Sequence, residues 1–105
     1  MKEEMETIVF EIISNAGCVK GICYEALDLA IEGKIDEAYK KLDEANEYLL
    51  KAHEIQTNLI QKEVNGEKVE LSVLFVHAQD HLMSCIEIKN LVSKLIKLCE
   101  VKNNG

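Results

Sequence analysis

Residues 35–59, IDEAYKKLDEANEYLLKAHEIQTNL, decide the fold because one seam of positions recurs in alternating steps of three and four. The seam consists of Ile35, Ala38, Leu42, Ala45, Leu49, Ala52, Gln56 and Leu59. This period is typical of an α-helix that packs along one face against other helices. On the opposite face, Glu37 precedes Lys41 by four residues, a spacing that predicts an ion pair within the helix.

Two glycines divide the chain into three segments of similar length. Gly33 follows an apolar-periodic stretch, and Gly66 follows Asn65 in a polar turn. A glycine just beyond a helix can adopt the left-handed conformation that ends the helix. The sequence therefore predicts one all-α domain, a three-helix bundle. It covers residues 1–105, with helices at about 3–32, 34–64 and 69–101.

The first segment repeats the helical period, at Ile8, Ile12, Ala16, Val19, Cys23, Ala26 and Ala30. Gly17 and Gly21 lie between these positions. Glycine inside a helix costs about 1 kcal/mol relative to alanine. Either a bend in the helix or the close approach of another helix would explain these two residues, and both explanations remain open.

Composition restricts the classes of function. The chain has 48% hydrophobic residues, no proline and a net charge of −7. This acidity argues against a nucleic-acid partner, because phosphate backbones are bound by clustered Lys and Arg. No signal sequence or membrane span of ~20 apolar residues is recognisable, so a cytoplasmic protein is expected. The cysteines form no C-x-x-C pair and are predicted to be reduced thiols without a role: Cys18, Cys23, Cys85 and Cys99.

The third segment has more apolar surface than one three-helix bundle can bury. Its polar sector, at 100° per residue, contains only Gln79, Glu87, Asn90, Lys94 and Lys97. A surface helix usually buries an apolar stripe little wider than about 100°. The excess predicts that this helix also forms an interface between subunits.

A polar cluster, His77-Ala78-Gln79-Asp80-His81, lies within that apolar segment. On a helix, His77, Asp80 and His81 project toward one side. Three interpretations fit the spacing. The residues are satisfied interface side chains, or the two histidines are metal ligands assisted by Asp80, or a histidine carries a phosphoryl group as a covalent intermediate. Physical reasoning does not choose between metal and phosphate.

The sequence around this cluster resembles the lactose/cellobiose enzyme IIA subunits of the bacterial sugar phosphotransferase system. The resemblance is carried by residues 76–83, VHAQDHLM, and extends over nearly the whole chain. Further similar stretches are Asn15-Ala16-Gly17, Glu25-Ala26-Leu27, Ala52-His53-Glu54-Ile55-Gln56-Thr57 and Asn65-Gly66-Glu67. The resemblance implies an up-down-up three-helix bundle that assembles as a homotrimer.

The same resemblance implies a role for each site residue. His77 is expected to accept a phosphoryl group from the histidine phosphocarrier protein and to donate it to a cysteine of enzyme IIB. The membrane permease, enzyme IIC, then delivers a β-linked disaccharide for phosphorylation. Asp80 is expected to bind Mg²⁺, or a similar divalent cation, with its two symmetry copies on the trimer axis, and His81 to support the phosphoryl site.

Two further residues and two further functions remain open. His53 is expected to be a packed or surface histidine, and Gln79 points away from His77 on a helix, so that it could act only across a subunit boundary. The alternatives to phosphoryl transfer are a non-catalytic helical adaptor and a metal-binding helical oligomer, including a metal-dependent hydrolase.

Overall fold

The structure, a computed structural model, describes residues 3–104, and these residues form three α-helices. The helices are α1 (Glu3–Ile31), α2 (Ile35–Val64) and α3 (Val73–Asn104). They build an up-down-up bundle of 55 × 22 × 18 Å in which α1 packs against both other helices. α2 and α3 contact each other less extensively. The predicted all-α fold is confirmed.

The core lies where the periodic faces of the helices meet. Its largest fully buried side chains are Val9, Ile12, Val19, Cys23, Leu82, Cys85 and Ile96. On α2, all the buried positions are Ala or Leu of the predicted seam, and Ile35 and Gln56 at the same spacing are half-buried. Within residues 3–104 no polar or charged residue belongs to the buried class. The polar side chains in this range therefore lie at or near the surface.

Both glycine breaks end a helix as predicted. Gly33 and Gly66 have φ values of 86° and 89°, a conformation that costs a residue with a Cβ atom more than it costs glycine. After α1, the amide of Lys34 donates to the carbonyl of Leu29 at 2.9 Å, and the amide of Gly33 donates to Ala30 at 3.0 Å. These two bonds form a Schellman motif, which satisfies carbonyl groups at the helix end.

The predicted start of the third helix, at about residue 69, is wrong. α3 begins at Val73, because the hydroxyl of Ser72 accepts a hydrogen bond of 3.0 Å from the amide of Phe75. A serine in this position caps the helix by satisfying an amide that has no partner within the helix. Val69 precedes the helix and packs, half-buried, against the core.

Of the two explanations predicted for the glycines inside α1, the close approach of another helix does not hold among the described residues of this chain. α1 is continuous through Gly17 and Gly21, and both positions are exposed. A Cβ atom built on either glycine would meet no atom within 4 Å other than the helix's own neighbouring backbone. Each glycine therefore leaves open space on the surface of α1.

Candidate phosphoryl-transfer site on α3

The first turns of α3 place His77, Asp80 and His81 on one side of the helix. His77 and Asp80 are exposed, whereas His81 is half-buried. The arrangement follows from the helical spacing, because residues i, i+3 and i+4 lie on one face. The exposed ring of His77 can therefore be reached by a second protein, whereas the ring of His81 is partly shielded.

The rings of His77 and His81 are parallel. Their planes differ by 5°, and their centroids are 6.1 Å apart. Side chains four residues apart on a helix stack above one another, which explains the pairing. A group bonded to His77 would therefore lie within reach of a polar atom on the His81 ring.

His81 has a partner on another helix, Lys20 of α1. The Lys20 Nζ atom lies 2.8 Å from the His81 Nδ1 atom. An ammonium group has only donors, so Nδ1 accepts this hydrogen bond and the proton of the neutral ring is on Nε2. Sequence reasoning missed Lys20, which is 61 residues from His81 and belongs to no local motif.

The surroundings of His81 keep its imidazole neutral. Partial burial is the largest cause that lowers the pKa of His81, followed by the positive charge of Lys20 and by His77. A lowered pKa means that the uncharged ring dominates at neutral pH. A neutral ring whose Nδ1 is engaged by Lys20 offers Nε2–H as its one donor.

Gln79, which lies between His77 and Asp80 in the sequence, points in a different direction. The side-chain amide of Gln56 in α2 donates a hydrogen bond to the Oε1 atom of Gln79. Gln79 therefore faces α2, and its own Nε2 group does not take part in this hydrogen bond. Within one chain it contributes to the contact between α2 and α3.

The cysteines nearest to the site are buried thiols. The Cys85 Sγ atom donates to the carbonyl oxygen of Ala16 at 2.8 Å. Burial raises the pKa of Cys85 and of Cys23. A raised thiol pKa lowers the fraction of the nucleophilic thiolate. All four cysteines of the chain are free, and Cys18 is exposed.

The side of α3 that faces away from the core has a seam of exposed positions, six apolar and three charged, which we call the outer seam. It recurs in steps of three and four at Val73, Val76, Asp80, Met83, Glu87, Leu91, Lys94, Leu98 and Val101. The exposed fraction is 89% for Val73, 53% for Met83 and 59% for Leu91. Such a repeat is the pattern of helices that pack in a coiled coil, so the outer seam has the features of an interface.

Asp80 occupies one position of the outer seam, next to Val76 and Met83. A carboxylate is a suitable ligand for a hard divalent cation. Among residues 3–104, however, no group of three or more His, Cys, Asp or Glu side chains could hold a metal ion. Within this part of one chain, Asp80 therefore has no group of further carboxylate, thiol or imidazole ligands beside it with which it could hold a cation.

The fold and the site define a small helical-bundle protein with a pair of histidines on an exposed helix face. The family model of the PTS system lactose/cellobiose-specific IIA subunit matches residues 7–100. The chain belongs to this family, and it is a phosphotransferase component of the sugar phosphotransferase system. None of the helices in the described part of the chain is long and apolar enough to cross a membrane.

Similar proteins cover almost the full chain. The lichenan-specific phosphotransferase enzyme IIA component of Bacillus subtilis (strain 168) is 48% identical over 100 residues, which are 95% of this chain and 91% of the relative. The crystal structure of the cellobiose-specific enzyme IIA of Bacillus anthracis has a TM-score of 0.92 and 42% identity, and the match covers 100% of this chain and 97% of that one. The IIA component in the solution structures of the Escherichia coli IIA(chitobiose)–HPr complex has a TM-score of 0.83 and 34% identity, covering 97% of this chain and 99% of that one.

Proposed function

We propose that His77 accepts a phosphoryl group from the histidine phosphocarrier protein and passes it to a cysteine of enzyme IIB, in the cytoplasm. The observation that carries this proposal is the exposed His77 ring parallel to the half-buried His81 ring, in a chain of the IIA family. The complex of a 34% identical IIA protein with HPr supports the donor. Relatives named for lichenan, cellobiose and chitobiose support a β-linked disaccharide as the sugar finally phosphorylated.

Each transfer exchanges one bond to phosphorus for another. A ring nitrogen of His77 forms an N–P bond as the N–P bond to the carrier's histidine breaks, so the carrier's histidine leaves with its electron pair. In the second transfer the thiolate of enzyme IIB forms an S–P bond as the N–P bond to His77 breaks. Neither transfer consumes water. His81 supports both by donating Nε2–H to a phosphoryl oxygen, where negative charge must be stabilised.

Labelling with phosphoenolpyruvate, enzyme I and the phosphocarrier protein tests the acceptor. We expect one acid-labile, base-stable phosphate per chain. The label should be lost in His77→Gln and retained in Cys85→Ala. His53→Gln is the matched control, because His53 is also an exposed histidine on a helix, α2. Labelling of the His77→Gln protein, or its loss in the His53→Gln protein alone, would show that the acceptor is assigned wrongly.

We further propose that three chains assemble through the outer seam and that their Asp80 side chains bind Mg²⁺, or a similar divalent cation, on the trimer axis. The exposed apolar positions of the seam support the assembly. Three converging carboxylates repel each other and raise each other's pKa unless a cation neutralises them. Mg²⁺ would supply this neutralising charge, and the Asp80 carboxylates would hold it. Enzyme IIC, the permease, is a partner only through enzyme IIB.

Sedimentation of Asp80→Leu tests this assembly. Leucine removes the repulsion and extends the apolar seam, so the trimer should persist, or become tighter, without added metal. Asp43→Leu, an exposed aspartate on α2, is the control and should retain the response of the wild-type trimer to a chelator. Dissociation of the Asp80→Leu trimer would refute the axial position. If the wild-type protein is a monomer that still becomes labelled at His77, the proposed trimer is refuted but the proposed phosphoryl transfer is not. The outer seam would then bind another partner.

A further inference from the structure

We propose that Lys20 is a positioning residue for phosphoryl transfer, because it fixes the orientation of His81 through a hydrogen bond to Nδ1. The inference rests on the proposed function of His77 for its kinetic consequence, but not for its structural part. Lys20 is the one basic residue of α1, a helix with several acidic residues. Its Nζ atom nevertheless lies 2.8 Å from His81 on α3.

The position of Lys20 shows how the contact is built. Lys20 is half-buried between the buried Val19 and the exposed Gly21. A lysine in this position packs its aliphatic chain along apolar surface and places its ammonium group at the edge. The side chain thus crosses from α1 to α3 and reaches the Nδ1 edge of the His81 ring.

The hydrogen bond selects one of two orientations of an imidazole. A histidine ring can flip by about 180° around its last torsion, because that torsion is broad and roughly two-fold. Either flip can present a donor or an acceptor, depending on which nitrogen carries the proton. A lysine donor at Nδ1 removes this choice, since only an unprotonated nitrogen can accept its proton. The Nε2–H group is then available at the edge of the ring away from Lys20.

The parallel ring of His77 makes this choice relevant to the transfer. With ring planes 5° apart and centroids separated by 6.1 Å, His81 is the ring that stacks with His77, to which the phosphoryl group would be bonded. A donor that is held in place before the reaction stabilises developing charge without the cost of reorienting it. A flipped ring would instead present Cε1–H at this place, and the other tautomer would present an unprotonated Nε2, which repels a phosphoryl oxygen.

The positive charge of Lys20 has a second effect at the same place. The chain has a net charge of −7, and the carboxylate of Asp80 lies next to His81 in sequence. A phosphoryl group adds further negative charge. A charge effect, however, does not require contact with His81, whereas the orienting effect does. Experiments can therefore separate the two.

Long-range ¹H–¹⁵N spectra of the histidine rings test the contact in the unphosphorylated protein. At one pH at which His81 is neutral, its Nδ1 should resonate as an unprotonated nitrogen that accepts a hydrogen bond. In Lys20→Met the Nδ1 signal should move toward the position of a free nitrogen, and in Lys20→Arg it should stay near the wild-type position. A proton on Nδ1 in the wild type, or an unchanged signal in Lys20→Met, would overturn the proposal.

Single-turnover transfer from the phosphorylated carrier tests the consequence. Lys20→Met should lower the limiting rate by about tenfold, the effect of losing one charge-assisted hydrogen bond, with little change in the carrier concentration at half-saturation. Lys20→Arg should recover most of the rate. Lys40→Met, an exposed lysine on α2, is the control and should transfer at the wild-type rate.

A double-mutant cycle identifies the route of the effect. If Lys20 acts through His81, Lys20→Met should add nothing in the His81→Gln background. An equal loss in both backgrounds would overturn the positioning role and leave a charge effect. If no phosphate appears on wild-type His77, the proposed function fails, while the ring spectra still decide whether Lys20 orients His81.

Discussion

Replacing the two interior glycines of α1 by alanine should stabilise the protein. At Gly17 and Gly21 a Cβ atom would meet nothing within 4 Å outside the neighbouring helix backbone, so alanine introduces no clash. Both residues lie inside the continuous α1, where alanine is favoured over glycine by about 1 kcal/mol. Much of this difference comes from the greater freedom of glycine in the unfolded chain.

The size of the effect can be worked out from these two positions. An alanine at either position displaces no other group, so the two propensity gains should sum to about 2 kcal/mol in Gly17→Ala/Gly21→Ala. For a domain of this size, 1 kcal/mol corresponds to a change in Tm of roughly 4–8 °C. The double variant should therefore melt roughly 10 °C above the wild type, provided that the protomer concentration is the same, because assembly also affects Tm.

Thermal unfolding followed by circular dichroism measures this shift, and Gly33→Ala is the matched control. Gly33 has a φ of 86°, and its Cβ atom would lie 3.4 Å from the Nδ2 atom of Asn103. Alanine there should lower the free energy of unfolding by about 1 kcal/mol, a change of opposite sign. A lower Tm in Gly17→Ala/Gly21→Ala would refute the reasoning, since it would mean that another protomer packs closely against this face of α1.

Three further predictions follow from single contacts. Ser72→Ala removes the cap of α3 and should lower the free energy of unfolding by about 1 kcal/mol in urea titrations, whereas Ser72→Asp should retain most of the wild-type stability. Equal stability of the wild type and both variants would contradict the capping role. A thiol reagent at pH 8 should modify exposed Cys18 within minutes and buried Cys23 and Cys85 far more slowly. Burial raises the pKa of Cys23 and Cys85, so that their thiolates form only at higher pH. Mass spectrometry of the peptides measures the modification, and fast labelling of Cys85 would contradict its burial. Lys41→Met should change the free energy of unfolding by less than about 1 kcal/mol, because its 3.1 Å ion pair with Glu25 is substantially exposed; a larger loss would mean that this pair is shielded from water.

The helices were predictable from the sequence because their periodicity is local information. The seam of α2 can be read from residues 35–59 alone, and its apolar members lie against the rest of the bundle. The start of α3 was missed because the apolar period extends back to Val69, although Ser72 three residues before Phe75 is a capping signal. The apolar pattern extends across the boundary, whereas the cap defines it.

Contacts between helices could not be predicted in the same way. Lys41 was expected to pair with Glu37 in its own helix, but its ammonium group contacts Glu25 of α1 and Glu44. The relative rotation of two helices decides which of these carboxylates is nearer, and a single sequence contains no direct measure of that rotation. The contact of Lys20 with His81 could not be predicted for the same reason, since the two residues belong to different helices and are 61 residues apart.

The two paired histidines differ in burial in the way that their proposed roles require. An acceptor that receives phosphorus from one protein and gives it to another must be reachable from solvent, and His77 is exposed. A donor that stabilises the transferred group works best when its direction is fixed in advance, which favours a ring held by packing and a hydrogen bond. His81 is half-buried and bound to Lys20, so it meets this second requirement. Exchanging the two roles would place the acceptor against α1, where a docking protein has less access. The contact of His81 with α1 therefore supports the proposal that His77, and not His81, is the acceptor.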